Sequence, residues 1–318
     1  MRIALSDLAR NQRGRLQQLL AASDELVDFD AVPGGSNDVD VLIASRLGPE
    51  EAARVRVRLL QVPGAGTDKI ALDAVSPDTW ICNAYEHEAP IAEYVLAAML
   101  EATVNLPALA RQIPDKGWAG AYFSRRPHGE LLGRTVGLVG LGHIGAAVAA
   151  RAKAFGMRVM AVVSRPRAGA PDVDWIGTAD RLGEMLAAAD FVVLACPLTE
   201  ATHGMIGAKE LAAMKPEALL INVARAEVAD EAALYEALQA GGIGGAVLDP
   251  WYAYPSGPED ASAQPSRYPF GELPNVKMTA HSAGWTDGVW ARRCRLFAEN
   301  IRRLGAGEAL LNVVQAPR

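Results

Sequence analysis

The chain has 318 residues, half of them hydrophobic and about a fifth charged, enough for two domains with cores of their own and the make-up of an ordinary globular protein. A net charge of −6 argues against an extended nucleic-acid surface, and no apolar run approaches the length of a membrane span. Three well-separated cysteines, Cys82, Cys196 and Cys294, exclude a disulfide framework or a CxxC metal knuckle and are expected to be reduced, and the polar start MRIALSDLAR is unlike a secretory leader; a cytoplasmic enzyme is the class these features favour.

Short β-rich apolar runs at 3–5, 25–29, 39–44, 58–62 and 79–82 predict strands, with helical spacing between them, as over 11–22. Such alternation implies a mostly parallel α/β sheet. A long apolar helix is expected over about 90–109, kinked or ended at Pro107. The Gly-, Pro- and Arg-rich stretch 114–130 reads as a connecting loop.

A second α/β series starts at Thr135, with strands expected at 136–140, 157–163, 191–195, 219–223, 245–248 and 276–280. Its first turn, TVGLVGLGHIG, places Gly140, Gly142 and Gly145 in G-x-G-x-x-G spacing where an apolar strand becomes a helix, with His143 and Ile144 inside the turn. The first glycine permits the tight turn, the second lets backbone approach a pyrophosphate, and the third lets helix and strand pack closely. The pyrophosphate would rest on the positive end of the helix. An NAD site needs Asp or Glu near the end of the next strand, to accept from the ribose hydroxyls. This chain has Val163-Ser164-Arg165-Pro166-Arg167 instead. Arginine pairs with a 2′-phosphate through charge-assisted hydrogen bonds, so NADP(H) is expected over NAD(H), held by Ser164 and Arg165 with Arg167 beside them. Further along, a helix is expected over 230–240, a proline-rich loop over 250–274, and a final helix over 286–304, basic along one side.

Several of these segments, in order and at family spacing, resemble the D-isomer-specific 2-hydroxyacid dehydrogenases over nearly the whole chain. They are VPGAGTDKI (62–70), IAEYVLAAML (91–100), GLVGLGHIG, PLTEATHGMIG (197–207), MKPEALLINVARAEVADEAAL (214–234), VLD (247–249) and MTAHSAGWT (278–286). The resemblance implies two doubly wound parallel-sheet domains, Rossmann-like and flavodoxin-like, with the active site in the cleft between them. Residues 1–99 with 286–318 would form the substrate domain and 100–285 the cofactor domain. It also implies a homodimer joined through the cofactor domain.

Roles carry over motif by motif. Arg225 matches the arginine that clamps the carboxylate and carbonyl oxygen of a 2-oxo acid, although Ala226 stands where the family has glycine. His281 matches the acid/base histidine, and an imidazole titrates near neutrality as the chemistry requires. Gly64, Ala65 and Gly66 would present N–H groups to the substrate carboxylate. Pro197, Thr202, Ala224 and Ala283 would line the cofactor, and Asp249 would accept from the nicotinamide carboxamide or cap a turn. His87 could touch substrate, and Trp251, Tyr252 and Trp285 could wall its pocket.

The partner of His281 departs from the family, which has a glutamate shortly after the VLD strand. Counting from Asp249 puts Tyr254 there; placing the loop's extra residues earlier makes Glu259 the candidate. The strand end is the firmer anchor and favours Tyr254. A neutral tyrosine cannot stabilise an imidazolium as a carboxylate would. The expected activity is NADP(H)-dependent reduction of a small 2-oxo acid to the D-2-hydroxy acid and the reverse, with glyoxylate and hydroxypyruvate foremost. A dinucleotide-sensing binding protein, or oxidation of a small anion such as phosphite or formate, are the alternatives.

Overall fold

The chain alternates strand and helix from its first residues. In this computed structural model, which describes residues 1–32 and 39–317, the order runs β1 (Arg2–Leu5), α1 (Arg13–Leu19), β2 (Glu25–Asp28), β3 (Val41–Ile43), α2 (Pro49–Arg54), β4 (Leu59–Gln61) and β5 (Trp80–Cys82). It continues with α3 (Glu88–Val104), α4 (Leu106–Phe123), β6 (Thr135–Val139), α5 (His143–Ala154), β7 (Arg158–Val162), β8 (Trp175–Gly177), α6 (Leu182–Ala188) and β9 (Phe191–Leu194). Then come α7 (Ala208–Ala212), β10 (Leu219–Asn222), α8 (Glu231–Gln239), β11 (Gly245–Leu248), β12 (Val276–Met278), α9 (Asp287–Ala306) and β13 (Val313–Gln315).

These elements form two compact units, Met1–His87 with Thr286–Arg318, and Glu88–Trp285. The first junction therefore falls at His87/Glu88, ahead of the expected 99/100. The reason is that α3 packs on α5 and β10 of the second unit, with Ile91, Val95 and Met99 in its core.

In the first unit the sheet order is β13-β5-β4-β3-β1-β2, parallel except for β13. Alternate residues of β1 serve opposite faces. Ile3 and Leu5 pack with Trp290, Phe297 and Ile301 of α9, while Ala4 joins Leu42, Leu60 and Ile81 on the other side. A buried polar staple fixes α9 to this sheet. Asn300 donates from Nδ2 to Gln61 Oε1 at 2.8 Å, and Gln61 Nε2 donates to the Val62, Cys82 and Asn83 carbonyls. Each of these buried amides finds partners, as the cost of an orphaned polar group demands.

The second sheet, β12-β11-β10-β9-β6-β7-β8, is wholly parallel. The chain leaves β6 toward β7 and β8 and returns to β9 on its other side, so β6/β9 is the topological switch point. In open α/β sheets the crevice beyond the strand carboxyl ends at that point is where ligands bind. Strands buried on both faces read as unbroken apolar runs, which is why VGLV, VMAV, FVVL and LLI stand out.

Between 105 and 130 the structure differs from expectation. Asn105 adopts a left-handed conformation (φ 48) that ends α3, and its side chain caps Ala108 N. Pro107 then lies in the first turn of α4, where its missing N–H costs nothing. The stretch from 114 onward is helical as far as Phe123, interrupted at Gly117 (φ 71), so the expected loop is confined to residues after 123.

The proline-rich loop 250–274 is tied to α8 by Glu231. This buried carboxylate accepts from the Ser266 hydroxyl at 2.8 Å, the Arg267 N–H at 3.0 Å and the Arg267 guanidinium at 2.8 Å. Burial, the largest single influence, raises its pKa, but the Arg267 N–H, the Ser266 hydroxyl and the guanidinium together outweigh it and leave the pKa below normal. A depressed folded-state pKa stabilises the protein above the unfolded value and ceases to do so as pH falls through the folded value. Glu231→Gln is therefore expected to cost about 1–3 kcal/mol near pH 7 and to lose less further stability than wild type as pH drops below about 4, read by urea unfolding at both pH values.

Candidate active site

The glycine turn follows β6. Gly140 has φ +100, and a Cβ there would stand 2.8 Å from the Ala195 carbonyl oxygen; a Cβ on Gly145 would be driven into the Gly140 carbonyl. Both glycines are thus required by packing. Gly142 is different, because a Cβ there would meet nothing within 4 Å. It precedes the first turn of α5, which no side chain caps. Open space beside uncapped N–H groups is what a pyrophosphate needs. Gly145→Ala is accordingly expected to lower the melting temperature, whereas Gly142→Ala should fold normally and lose dinucleotide affinity; equal melting losses in both would contradict the distinction.

At the end of β7, beside this turn, Ser164, Arg165 and Arg167 are exposed and no carboxylate accompanies them in Val163–Arg167. Arg167 donates from Nη2 to the Leu141 carbonyl at 2.9 Å, so it reaches back to the glycine turn itself. Pro197 and Thr202 form a local turn, the Thr202 hydroxyl donating to the Pro197 carbonyl at 2.7 Å. Ala224 and Ala283 are buried, and His143 and His203 are exposed.

Arg225 follows the end of β10 and is half-buried. Its turn is pinned by Asn222, which is 1% exposed and bonds in both directions: Nδ2 donates to the Arg225 carbonyl at 2.9 Å, and Oδ1 accepts the Ala224 N–H at 3.0 Å. Arg225 Nη1 also donates to the Ala224 carbonyl at 2.9 Å. Asn222 was not among the expected site residues, although a polar residue closing a buried LLIN strand is a readable signal.

His281 follows β12 at a positive φ of 54. Its Nδ1 lies 2.7 Å from the Tyr254 hydroxyl, which also accepts the Trp251 N–H at 3.2 Å. Burial, chiefly, pushes the Tyr254 phenol above its ordinary pKa, while the Trp251 N–H and then the Arg225 charge pull the other way. Tyr254 therefore stays neutral near pH 7. The structure brings Tyr254 and not Glu259 to His281. Glu259 is exposed, with no side-chain hydrogen bond or ion pair among the described residues.

Asp249 is buried and already accepts from Thr279, Ser282 and Ala283, which makes it a turn-holding residue in the first place. Two of the aromatic residues expected near substrate are structural. Trp251 is buried against Phe270 and donates its indole N–H to the Thr279 carbonyl, and the Tyr252 hydroxyl donates to the Ala229 carbonyl. Trp285 is exposed. In the first unit, the Gly64–Gly66 loop follows β4, held by the Asn83 amide donating to the Ala65 carbonyl at 2.8 Å. His87 closes that unit's first segment. Among the described residues no cluster of His, Cys, Asp or Glu could hold a metal, and no helix is long and apolar enough to cross a membrane.

Residues 96–283 match the family described as D-isomer specific 2-hydroxyacid dehydrogenase, NAD binding domain. The chain belongs to that family. A glyoxylate reductase of Korarchaeum cryptofilum is 32% identical over 287 residues, covering 87% of this chain and 83% of the relative. A D-3-phosphoglycerate dehydrogenase of Methanocaldococcus jannaschii is 32% identical over 290 residues, 88% of this chain but 52% of the relative, so the chain spans about half the length of that protein. Among solved structures, a D-isomer specific 2-hydroxyacid dehydrogenase from Xanthobacter autotrophicus in complex with NADPH and MES aligns with TM-score 0.78 and 28% identity, over 98% of this chain and 97% of that one. An NADPH-dependent glyoxylate/hydroxypyruvate reductase from Sinorhizobium meliloti aligns with TM-score 0.79 and 26% identity, over 99% and 98%. As a D-2-hydroxyacid dehydrogenase the chain is an NAD(P)-dependent oxidoreductase, and its glycine turn, open at Gly142, fits a dinucleotide.

Proposed function

We propose that the protein reduces a small 2-oxo acid to the D-2-hydroxy acid, and catalyses the reverse, with NADP(H) preferred over NAD(H) and glyoxylate or hydroxypyruvate as substrate. The observation that carries this reading is the convergence of the Arg225 cation and the His281–Tyr254 pair beyond the carboxyl ends of the adjacent strands β10, β11 and β12. The names of the Korarchaeum and Sinorhizobium relatives support the substrate class, and Ser164, Arg165 and Arg167 in place of an acid support the cofactor preference.

Bound reduced nicotinamide supplies the hydride that the 2-oxo carbon receives. Arg225 orients the substrate by a bidentate clamp and polarises its carbonyl. With Nδ1 committed to Tyr254, Nε2 is the atom of His281 that delivers the proton to the carbonyl oxygen. The Tyr254 hydroxyl accepts from Nδ1–H when the ring is charged. The backbone of Gly64–Gly66 is the proposed donor set for the substrate carboxylate. Pro197, Thr202, Ala224 and Ala283, with His143 and Ile144 of the turn, are the proposed cofactor lining. A homodimer and a cytoplasmic location belong to the same proposal. α4 leaves Trp118 at 68% and Phe123 at 86% exposed, an apolar strip that a second copy would cover.

The test is oxidation of NADPH and of NADH with glyoxylate, hydroxypyruvate, pyruvate and phenylpyruvate. Turnover that is faster with NADPH, and that drops when Ser164 and Arg165 are replaced by alanine, is expected. The neutral Tyr254 at His281 favours one rival, a dinucleotide sensor, and tight NADPH binding without turnover on any of the four acids would select it.

A further inference from the structure

Asp249 follows β11 and is 2% exposed. Its Oδ1 accepts the Thr279 hydroxyl at 2.6 Å and the Ser282 N–H at 2.7 Å, its Oδ2 accepts the Ala283 N–H at 3.1 Å, and its backbone carbonyl accepts the His281 N–H at 2.9 Å. Three successive N–H groups thus converge on one residue. His281 sits in a left-handed conformation that a residue with a side chain keeps only when its surroundings hold it there. Asp249 supplies that hold.

The hydrogen bonds behind Asp249 run one way. An ionised carboxylate only accepts, so the Thr279 hydroxyl hydrogen belongs to it. The Thr279 oxygen is then left as an acceptor, and the Tyr94 hydroxyl, 2.7 Å away, must donate to it. Burial, above all, keeps Tyr94 protonated. Thr279 is fixed on its other sides as well: its N–H donates to the Leu248 carbonyl at 3.0 Å, and its own carbonyl accepts the Trp251 indole at 2.7 Å. Tyr94 comes from α3, on which the turn therefore leans.

We propose that Tyr94 and Thr279 are positioning residues for His281: the hydroxyl chain from Tyr94 through Thr279 sets the rotation of the Asp249 carboxylate, which holds the turn that carries the imidazole. This rests on the reading of His281 as proton donor. Without the Thr279 hydroxyl, Oδ1 keeps one bond where it had two, and only the Ser282 and Ala283 N–H groups of the turn itself still orient the carboxylate. Neither residue touches the reacting atoms, so the effect falls on the geometry of the proton donor rather than on substrate binding.

NADPH-dependent glyoxylate reduction and amide hydrogen exchange test this together in Tyr94→Phe, Thr279→Val, Thr279→Ser and the Tyr94→Phe/Thr279→Val double variant. Thr279→Val is expected to lower kcat about ten- to a hundredfold, as a misplacement near 1 Å does, with KM for glyoxylate changed less than about threefold. Thr279→Ser restores most of the loss, and the double variant is no slower than Thr279→Val alone, because both changes break one chain. Exchange at the Ser282 and Ala283 amides quickens in Thr279→Val and not in Thr279→Ser, while α3 stays protected. Unchanged kcat with unchanged exchange in Thr279→Val, or additive losses in the double variant, overturns the proposal. Should wild type reduce no 2-oxo acid, exchange at Ser282 and Ala283 alone decides the positioning chain, and the missing turnover counts against the enzymatic reading instead.

Discussion

His281→Ala is expected to lower kcat for 2-oxo acid reduction by about 10²–10⁴-fold, the usual contribution of a positioned proton donor, with NADPH affinity retained. His281→Gln should be nearly as slow, since an amide can hydrogen-bond to the carbonyl but has no proton to give near neutrality. The pH profile carries the finer information. Reduction requires imidazolium and declines as pH rises through the pKa of His281. The phenol beside Nδ1 is neutral and lends that cation no charge stabilisation. A carboxylate in its place favours the protonated imidazole, so Tyr254→Glu should carry reduction to higher pH. Tyr254→Phe removes the hydrogen bond without changing the charge, and should lower kcat with little movement of the limb. A profile flattened by Glu259→Gln and untouched by Tyr254→Phe would transfer the partner role to Glu259.

The fold was readable where burial makes the signal continuous. The central strands of both sheets are largely apolar runs, with Gln61 and Asn222 closing β4 and β10, and G-x-G-x-x-G marks the switch point because Gly140 and Gly145 admit no side chain. The two strands that went unread, β8 and β13, are three-residue strands at sheet edges, and such strands carry too little pattern to register. α4 was misread for a related reason. Pro114 and Gly117 are residues that favour loops, and Gly117 does interrupt the helix at φ 71.

Within the site, what could be read was what hangs on strand ends. Arg225, Asp249 and His281 each lie within three residues of one, and counting from β11 leads to Tyr254. What could not be read are the partners supplied by distant segments. Tyr94 and Thr279 lie 185 residues apart, and no local pattern distinguishes this tyrosine from an ordinary residue of an apolar helix. Asp249 illustrates the limit from the other side. Its place after VLD was plain, but its three donors come from 279–283, so its turn-holding task appears only once β11 and β12 are paired.

Arg225→Ala is expected to lower kcat/KM for 2-oxo acids by about 10²–10³-fold, within the 2–5 kcal/mol that truncating one partner of a hydrogen-bonded charge pair costs. Both parameters should suffer. KM rises because the carboxylate loses its counter-charge, and kcat falls because the carbonyl is no longer polarised as hydride arrives. Arg225→Lys should recover only part of the loss, since an ammonium cannot present two parallel N–H groups to a planar acid. The position of the guanidinium is itself built in. Asn222 grips the turn from both sides, and Nη1 folds back on the Ala224 carbonyl, so little rotamer entropy remains to be lost on binding. Asn222→Ala should then mimic a weaker Arg225→Ala, and guanidinium added to the solution should rescue Arg225→Ala but not Asn222→Ala, in which the arginine is present but loosely held. If Arg225→Ala left kcat/KM unchanged for every 2-oxo acid while dinucleotide binding persisted, the cation would be no part of the substrate site, and the reading of the chain as a 2-oxo acid reductase would fall with it.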